Sequence, residues 1–321
     1  MADRMQPRWQ GMRASAANTA LVIIGCLLVI TAPVWRLGIA PALKVVATDF
    51  DYIYFYDGSL DVYTGGALSA IPAALEQRVL SRNDLSTPAV SAVREGLRLY
   101  DKRNSAEVEK QTHYLAMNRK TGELQKARGC ERATGNYIVF PFNSPKSDVP
   151  VWVERAKVAV KAKFAKKDKV GGVSVYRYDL EYHNLPCPPP PGFAETVKTS
   201  DVVSLMPPGF TMPPGDSLEA SYVTAGKASY FVEPAMGSIV DVRGLDQSVS
   251  IKLSGSGFAA TSLVFSFKCS LDKNSVTTAT LFAKDEIAKL RLQFVSIPLG
   301  LLVFGVVVFL VGFFAGTKKK G

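Results

Sequence analysis

The sequence predicts a mainly β extracytoplasmic domain, as a meander, sandwich or irregular barrel, held by two terminal transmembrane α-helices. Three observations predict it. Both ends of the chain carry long apolar stretches without charge. The segment between them alternates apolar and polar residues with period two, broken by turn dipeptides. No motif of a nucleotide or nucleophile site interrupts that pattern.

The chain has 321 residues, 47% of them hydrophobic, and a formal charge of +10. The first apolar stretch, Ala14 to Trp35, contains "ALVIIGCLLVITAPVW", and the second, Leu292 to Gly316, reads "LQFVSIPLGLLVFGVVVFLVGFFAG". Spanning a bilayer core takes about 20 mostly apolar residues. Leu, Val and Phe each favour insertion, so residues 292–316 predict a transmembrane helix. Residues 14–36 predict another, an uncleaved anchor. A short apolar core behind Arg4, Arg8 and Arg13 also reads as a signal peptide, with "APA" at Ala40 to Ala42 resembling a cleavage site. Arg36 and Pro33 oppose that second reading.

Arg4, Arg8 and Arg13 precede the first span, and Lys318, Lys319 and Lys320 follow the second. The positive-inside rule keeps both clusters cytoplasmic. The predicted organisation is a cytoplasmic tail (1–13), a span (14–36), an external β-rich domain (37–291), a span (292–316) and a basic cytoplasmic tail (317–321) in the plasma membrane. The terminal "KKKG" reads first as a stop-transfer cluster, and in a eukaryotic host also as a dilysine signal.

In the external segment, "DFDYIYFYDGSLDVYTGG" places Phe50, Tyr52, Tyr54 and Tyr56 on one strand face. Asp57-Gly58 predicts a hairpin turn, because Gly tolerates positive φ. Further hairpins are expected around "RKTG" (Arg119 to Gly122) and "AMG" (Ala235 to Gly237). Strands are expected over Val170 to His183, with a slip near Arg177. Another is expected over Thr261 to Leu271, with Leu263, Phe265 and Phe267 on one face. The total is roughly ten to twelve strands. "LSTPAVSAVREGLRLY" reads as a helical exception weakened by Gly96. Pro-rich loops occupy 185–215, where "LPCPPPPGF" and "LMPPGFTMPPGD" cannot be central strands, since proline supplies no N–H to a ladder. They read as rigid surface loops before they read as a partner-docking site. "DKNSVTTATLFAKDEIAKLRLQF" reads as a helix running into the second span, with Pro298 as a kink point.

Candidate ligand contacts come from two neighbouring stretches. "NYIVFPFNSPKSDVPVWVERA" crowds aromatic residues around three prolines. It reads first as an edge hairpin over the core, with Phe140, Phe142 and Trp152 as candidate ligand contacts. "KVAVKAKFAKK", read as a strand, puts Lys157, Lys161 and Lys163 on one face. Such a strip reads first as an edge that deters aggregation, and second as a surface for anionic lipid headgroups or acidic envelope polymers. Membrane lipids and an envelope protein are the expected partners. An external location gives the basic charge no nucleic-acid role.

Cys130, Cys187 and Cys269 are the candidates for at most one disulfide, whereas Cys26 lies in the first span. His113 and His183 are far apart and no C-x-x-C occurs, so no zinc cluster, other metal site or cofactor is expected. Asp49 and Asp51 read as solvent-facing carboxylates. No Gly-rich phosphate loop or G-x-S-x-G elbow is present, and no enzymatic function is expected.

Four stretches carry a resemblance: "RLGIAPALKVVATDFD", "NRKTGEL", "VFPFNSPKSDVPVWV" and "YFVEPAMGSIVDV". On these the chain resembles the porin-PorA family of prokaryotic membrane proteins over nearly its whole length. Met236-Gly237, where T-G is more usual, and the polyproline insert depart from that pattern. The family name implies a pore. Two helices with an external β domain do not make a membrane barrel, whose every strand needs lipid-facing alternation. The layout is also similar to that of two-span scavenger receptors with a lipid tunnel. The expected function is therefore a non-enzymatic envelope protein that binds or passes lipid-like molecules. The alternative is a structural or scaffolding protein docking a partner.

Overall fold

A computed structural model describes residues 6–64, 67–190, 192–203, 217–255 and 258–317. Arg4, Pro191, the second proline cluster and the lysine tail lie outside them. The chain forms two compact units, Val46–Lys284 and the paired termini Met1–Val45 with Asp285–Gly321.

In the terminal unit, α1 (Gln6–Val34) runs through a π-turn (Trp35–Ile39) into α2 (Ala40–Leu43). The π-turn has a proline reason. Pro41 lacks an N–H and its ring would clash with the carbonyl four residues back, which is Leu37, inside the widened turn. Closing that turn, the Ala40 N–H donates to Trp35 O, five residues back.

The β unit begins with β1 (Asp51–Thr64), β2 (Ala67–Ser81), β3 (Val90–Asp101) and β4 (Ala106–Asn118). It continues with β5 (Val149–Val153), β6 (Val158–Val170), β7 (Val173–Cys187), β8 (Thr196–Lys198) and the one-turn helix α3 (Thr199–Val202). The last strands are β9 (Ser217–Glu233), β10 (Ser238–Gly255) and β11 (Phe258–Leu271). Helix α4 (Lys273–Arg291) follows, capped by Asp272, whose Oδ1 accepts the Ser275 N–H at 2.6 Å. A second π-turn (Leu292–Ser296) leads into α5 (Ile297–Thr317). Pro298 repeats the relation of Pro41, with Phe294 four residues back inside the turn.

Helices α1 and α5 pack antiparallel along a glycine seam. A Cβ on Gly305 would lie 2.9 Å from Leu28 Cβ, and one on Gly312 would lie 2.8 Å from Leu21 Cβ. Small residues of this kind let two backbones approach closely where lipid gives no hydrophobic drive. Two stretches, Ala16–Leu43 and Lys273–Ala315, are long and apolar enough to cross a membrane.

All the sheet pairings are antiparallel, in the order β4-β3-β2-β1-β11-β10-β9-β7-β6-β5, with β8 on β9. Two meanders are thus joined by their first and last strands, in the register Tyr56↔Leu271 to Val62↔Phe265. Single bridges Met117↔Leu124, Leu124↔Gly135 and Asn136↔Val151 link edge strand β4 to edge strand β5. The apolar core lies on the inward faces, and Leu60, Val93, Leu115, Phe140, Tyr178 and Ile251 are among its fully buried side chains.

Several expectations are met. Gly122 and Gly237 turn at positive φ, the eleven strands among the described residues fall within the expected range, and the helix before the second span is present. Four others are corrected. "LSTPAVSAVREGLRLY" supplies β3, not a helix. Val90, Val93 and Gly96 disfavour a helix, and β2 and β4 pair with the segment on either side. Asp57-Gly58 is no turn, because β1 runs straight through it. Gly58 is needed for close approach, since a Cβ there would lie 1.8 Å from Lys268 O. Leu263 leaves the face of Phe265 and Phe267, because a bulge at Val264 shifts the register and turns Leu263 outward.

The fourth correction concerns "VFPFNS". It is not one arm of a hairpin but lies along the β9–β10 turn. Phe140 N–H donates to Gly237 O at 2.8 Å and Ser144 N–H to Pro234 O at 2.7 Å. Pro141, which has no N–H, sits between these bonds. The Phe140 ring is fully buried, 5.2 Å from that of Tyr178 and 5.6 Å from that of Tyr230.

Candidate functional site

The inward face of β4 changes character along its length. Residues of one strand face recur every second position. Here Glu109, Gln111 and His113 precede Leu115 and Met117 on that face. The apolar half joins the core, and the polar half lines a groove of about 460 Å³.

The β5–β6 turn brings the other side of the site. Its Lys157 N–H donates to Glu154 O at 3.3 Å, and Lys157 takes φ +53, a left-handed conformation costly for a residue with a Cβ. This turn points Glu154, Arg155 and Lys157 at β4. The Arg155 guanidinium donates to both Glu109 oxygens, at 3.1 and 3.2 Å, with both side chains nearly buried. Its Cζ also lies 5.3 Å from the centre of the Phe265 ring, which favours a cation. The third element is the loop after β4, where Glu131 N–H donates to Tyr114 O at 2.7 Å and fixes the Glu131 side chain beside His113.

His113 Nδ1 lies 2.9 Å from Glu131 Oε1 and 3.1 Å from Glu154 Oε1. Its Nε2 lies 3.1 Å from Gln111 Oε1. The Gln111 amide nitrogen is committed to Glu109 Oε1, so its oxygen faces the imidazole. Nε2 therefore carries hydrogen, and Nδ1 is the atom presented to the two carboxylates. Glu154 is further held by Trp152 Nε1, which donates to Oε2 at 2.7 Å. Lys157 Nζ bridges Glu131 Oε2 at 3.0 Å and Glu154 Oε1. Burial raises the Glu131 carboxyl pKa, but Lys157 and His113 outweigh it and hold the group below the usual range. Burial acts the other way on the Lys157 ammonium, and the two carboxylates outweigh it to push its pKa up.

Behind this cluster lies Glu95, fully buried on β3 and directly opposite His113 in the β3–β4 register. Its Oε1 accepts from Gln77 Nε2 at 2.6 Å, and Gln77 in turn accepts from the Tyr56 hydroxyl at 2.9 Å. Its Oε2 makes no hydrogen bond. Burial pushes the Glu95 pKa up to about 7, a rise only partly offset by hydrogen bonds from Gln77 and Tyr137 and enlarged by the negative charges of Glu154 and Glu131.

The opposite wall of the groove is the polyproline strap, Pro188 to Pro190 with Phe193. Pro190 is buried, the Phe193 N–H donates to Pro190 O at 3.1 Å, and the Phe193 ring packs edge-on to Tyr222 at 6.3 Å. Pro190 and Phe193 thus form the packed part of the wall, and Pro188 at its rim is exposed.

Of the residues singled out from sequence, the structure brings Trp152 and Lys157 together on Glu154. Trp152 and Phe142 share one apolar cluster, while Phe140 belongs to another. Lys161 and Lys163 are exposed on β6, away from the groove. Lys157 is not on their strand face, because it is the left-handed residue of the turn before β6. Cys130, Cys187 and Cys269 are free thiols. β9 and β10 separate Cys187 from Cys269, and in register Cys187 lies level with Ser262 rather than Cys269, so three interstrand steps of about 4.8 Å and the offset along the strands put the two beyond bridging distance. Asp51 is engaged by Arg78 at 2.5 Å.

Sequence reasoning missed Glu95, Glu109, His113, Glu131 and Glu154 as a group. It looked for Cys and His spacing, whereas these residues come from two strands, a loop and a turn. The readable signal was the alternation Glu109, Gln111, His113 on a face that continues as Leu115 and Met117.

No curated protein matches the chain. The family model described as "PorA: Porin PorA" matches residues 17–314. That match covers nearly the whole chain, from within α1 to near the end of α5, and the chain belongs to the porin PorA family.

Proposed function

We propose that the chain is a non-enzymatic, two-pass membrane protein of the cell envelope. In this reading both termini are cytoplasmic and the β unit is external, an irregular barrel closed by the bridges between β4 and β5, which takes up lipid-like molecules at the groove. The carrying observation is where apolar surface is exposed. On α1 and α5 it includes Ile24, Leu27, Ile30, Leu299, Phe304 and Phe314. Among the described strand residues, the large apolar side chains so exposed are Ile53, Phe55, Val158 and Leu263. That division suits helices in lipid and a β unit in water. The antiparallel α1–α5 seam supports termini on one side.

The groove supports an amphiphile. The ion-paired Glu109, Glu154, Arg155 and Lys157 give it a polar end that suits a headgroup carrying both charges, and Phe193 with the prolines gives it an apolar wall. Photoactivatable phosphatidylethanolamine, a zwitterionic lipid, added to the full chain in detergent, tests the reading. Adducts mapped to residues 154–157 or 192–193 are expected, and adducts confined to α1 and α5 would overturn it.

The family description favours a second reading, a channel-like protein. Planar-bilayer recording of the purified chain separates the two. Unitary conductance supports the channel, and its absence together with groove adducts supports lipid uptake.

A further inference from the structure

We propose that His113 Nδ1, Glu131 Oε1 and Glu154 Oε1 form a binding site for a borderline divalent transition-metal ion such as Zn²⁺, with its open position facing the groove. The three donor atoms all lie within 4.8 Å of one another. Bonds of about 2.0–2.1 Å at the tetrahedral angle need donors roughly 3.3 Å apart. The two separations from Nδ1, 2.9 and 3.1 Å, need to open by only a few tenths of an ångström.

The surroundings are those of a ligand set. Gln111 accepts from the second imidazole nitrogen, so a metal ion would take the place of the hydrogen that Nδ1 shares with the carboxylates. Trp152 holds the far oxygen of Glu154. A mixed nitrogen and oxygen set with one imidazole selects zinc-like ions over calcium or magnesium.

A second observation, independent of these three residues, points the same way. Glu95 is fully buried, sits directly opposite His113 on the same sheet face, and has an Oε2 without a hydrogen-bond partner. A buried carboxyl oxygen without a partner, on the strand position facing His113, adds to the negative potential that a cation bound by the three residues would meet. Lys157 offsets part of that potential. Its ammonium bridges Glu131 and Glu154, where an incoming cation would compete, but its side chain is 47% exposed and can swing into solvent. Lys157 is therefore a competitor of the metal, and its removal should tighten binding.

The inference goes beyond lipid uptake and needs no lipid for its test. The full chain, purified in detergent and stripped of metal, is titrated with Zn²⁺ against a chromophoric chelator. One Zn²⁺ per chain is expected. Glu131→Gln, on a partly exposed loop residue, should weaken binding at least tenfold. Lys157→Ala should strengthen it severalfold, and His183→Ala, on the exposed second histidine, should leave it unchanged. Absence of saturable binding, an unchanged affinity in Glu131→Gln, or a loss in Lys157→Ala would each overturn the site. Co²⁺ reads the donor set in the unsubstituted chain. Weak visible ligand-field bands alone are expected, and a near-ultraviolet thiolate charge-transfer band would assign the metal to Cys130 instead.

Discussion

Replacing Glu95 by glutamine should stabilise the β unit, and do so more as pH rises. The carboxyl pKa goes from 4.5 to about 7 on burial. An acid whose pKa is raised binds its proton more tightly in the folded state. Its contribution is therefore neutral below about pH 4.5, turns unfavourable as pH rises through the interval, and reaches its full cost above about pH 7. A shift of about 2.5 units at 1.36 kcal/mol each comes to roughly 3 kcal/mol. The glutamine side chain keeps the carbonyl that accepts from Gln77 and carries no titrating proton. The assay is urea unfolding of both full-length proteins in the same detergent, followed by tryptophan fluorescence, from pH 5 to pH 8. The free-energy difference, Glu95→Gln variant minus unsubstituted protein, should grow by about 2.5 kcal/mol over that range, equivalent to about 5–10 °C in Tm for a unit of this size. Taking the difference cancels every group that titrates alike in both. A difference that stays flat with pH, or falls, would refute the assignment of Glu95 as a buried, strained carboxyl.

Four further outcomes are expected. Phe140→Ala should cost about 3–5 kcal/mol in denaturant unfolding, because the ring is fully buried between Tyr178 and Tyr230. Glu109→Gln should cost about 3–5 kcal/mol by leaving Arg155 buried without its partner, and Arg155→Met in addition should recover most of that loss in the same measurement. Gly58→Ala should strip hydrogen-exchange protection from the β1–β11 ladder, since its Cβ would collide with the Lys268 carbonyl. Lys161→Glu with Lys163→Glu should change stability by no more than about 0.5 kcal/mol and yet reduce co-sedimentation with phosphatidylglycerol vesicles.

What the sequence made legible was local. Uncharged runs at the two ends announce α1 and α5 because hydropathy alone decides such helices. Gly122 and Gly237 announce turns because only positive φ closes them there. Asp57-Gly58 misled for the same local reason, since a glycine kept for close strand approach looks like one kept for a turn. Arg94 and Arg98, four apart, suit a helix face equally well, and pairing with β2 and β4 settles the matter. The polar cluster was invisible because its members meet only when β4, the loop at Glu131 and the turn at Lys157 are folded together. Phe140 drew attention for its aromatic neighbourhood, but burial against residues far along the chain fixed its place in the core.

The pairing of β1 with β11 also sets the order of assembly. Tyr56 and Leu271 meet across most of the chain, and neither meander can dock on the other until both are made. During synthesis the edge of β1 that will meet β11 waits with its amides unpaired, a template for any passing strand. Loop closure over that separation makes the joining step slow. Only α4 and a π-turn separate β11 from α5, so completion of the sheet and synthesis of the last helix fall close together. A truncation before Phe258 should therefore yield an aggregating product rather than a smaller folded one.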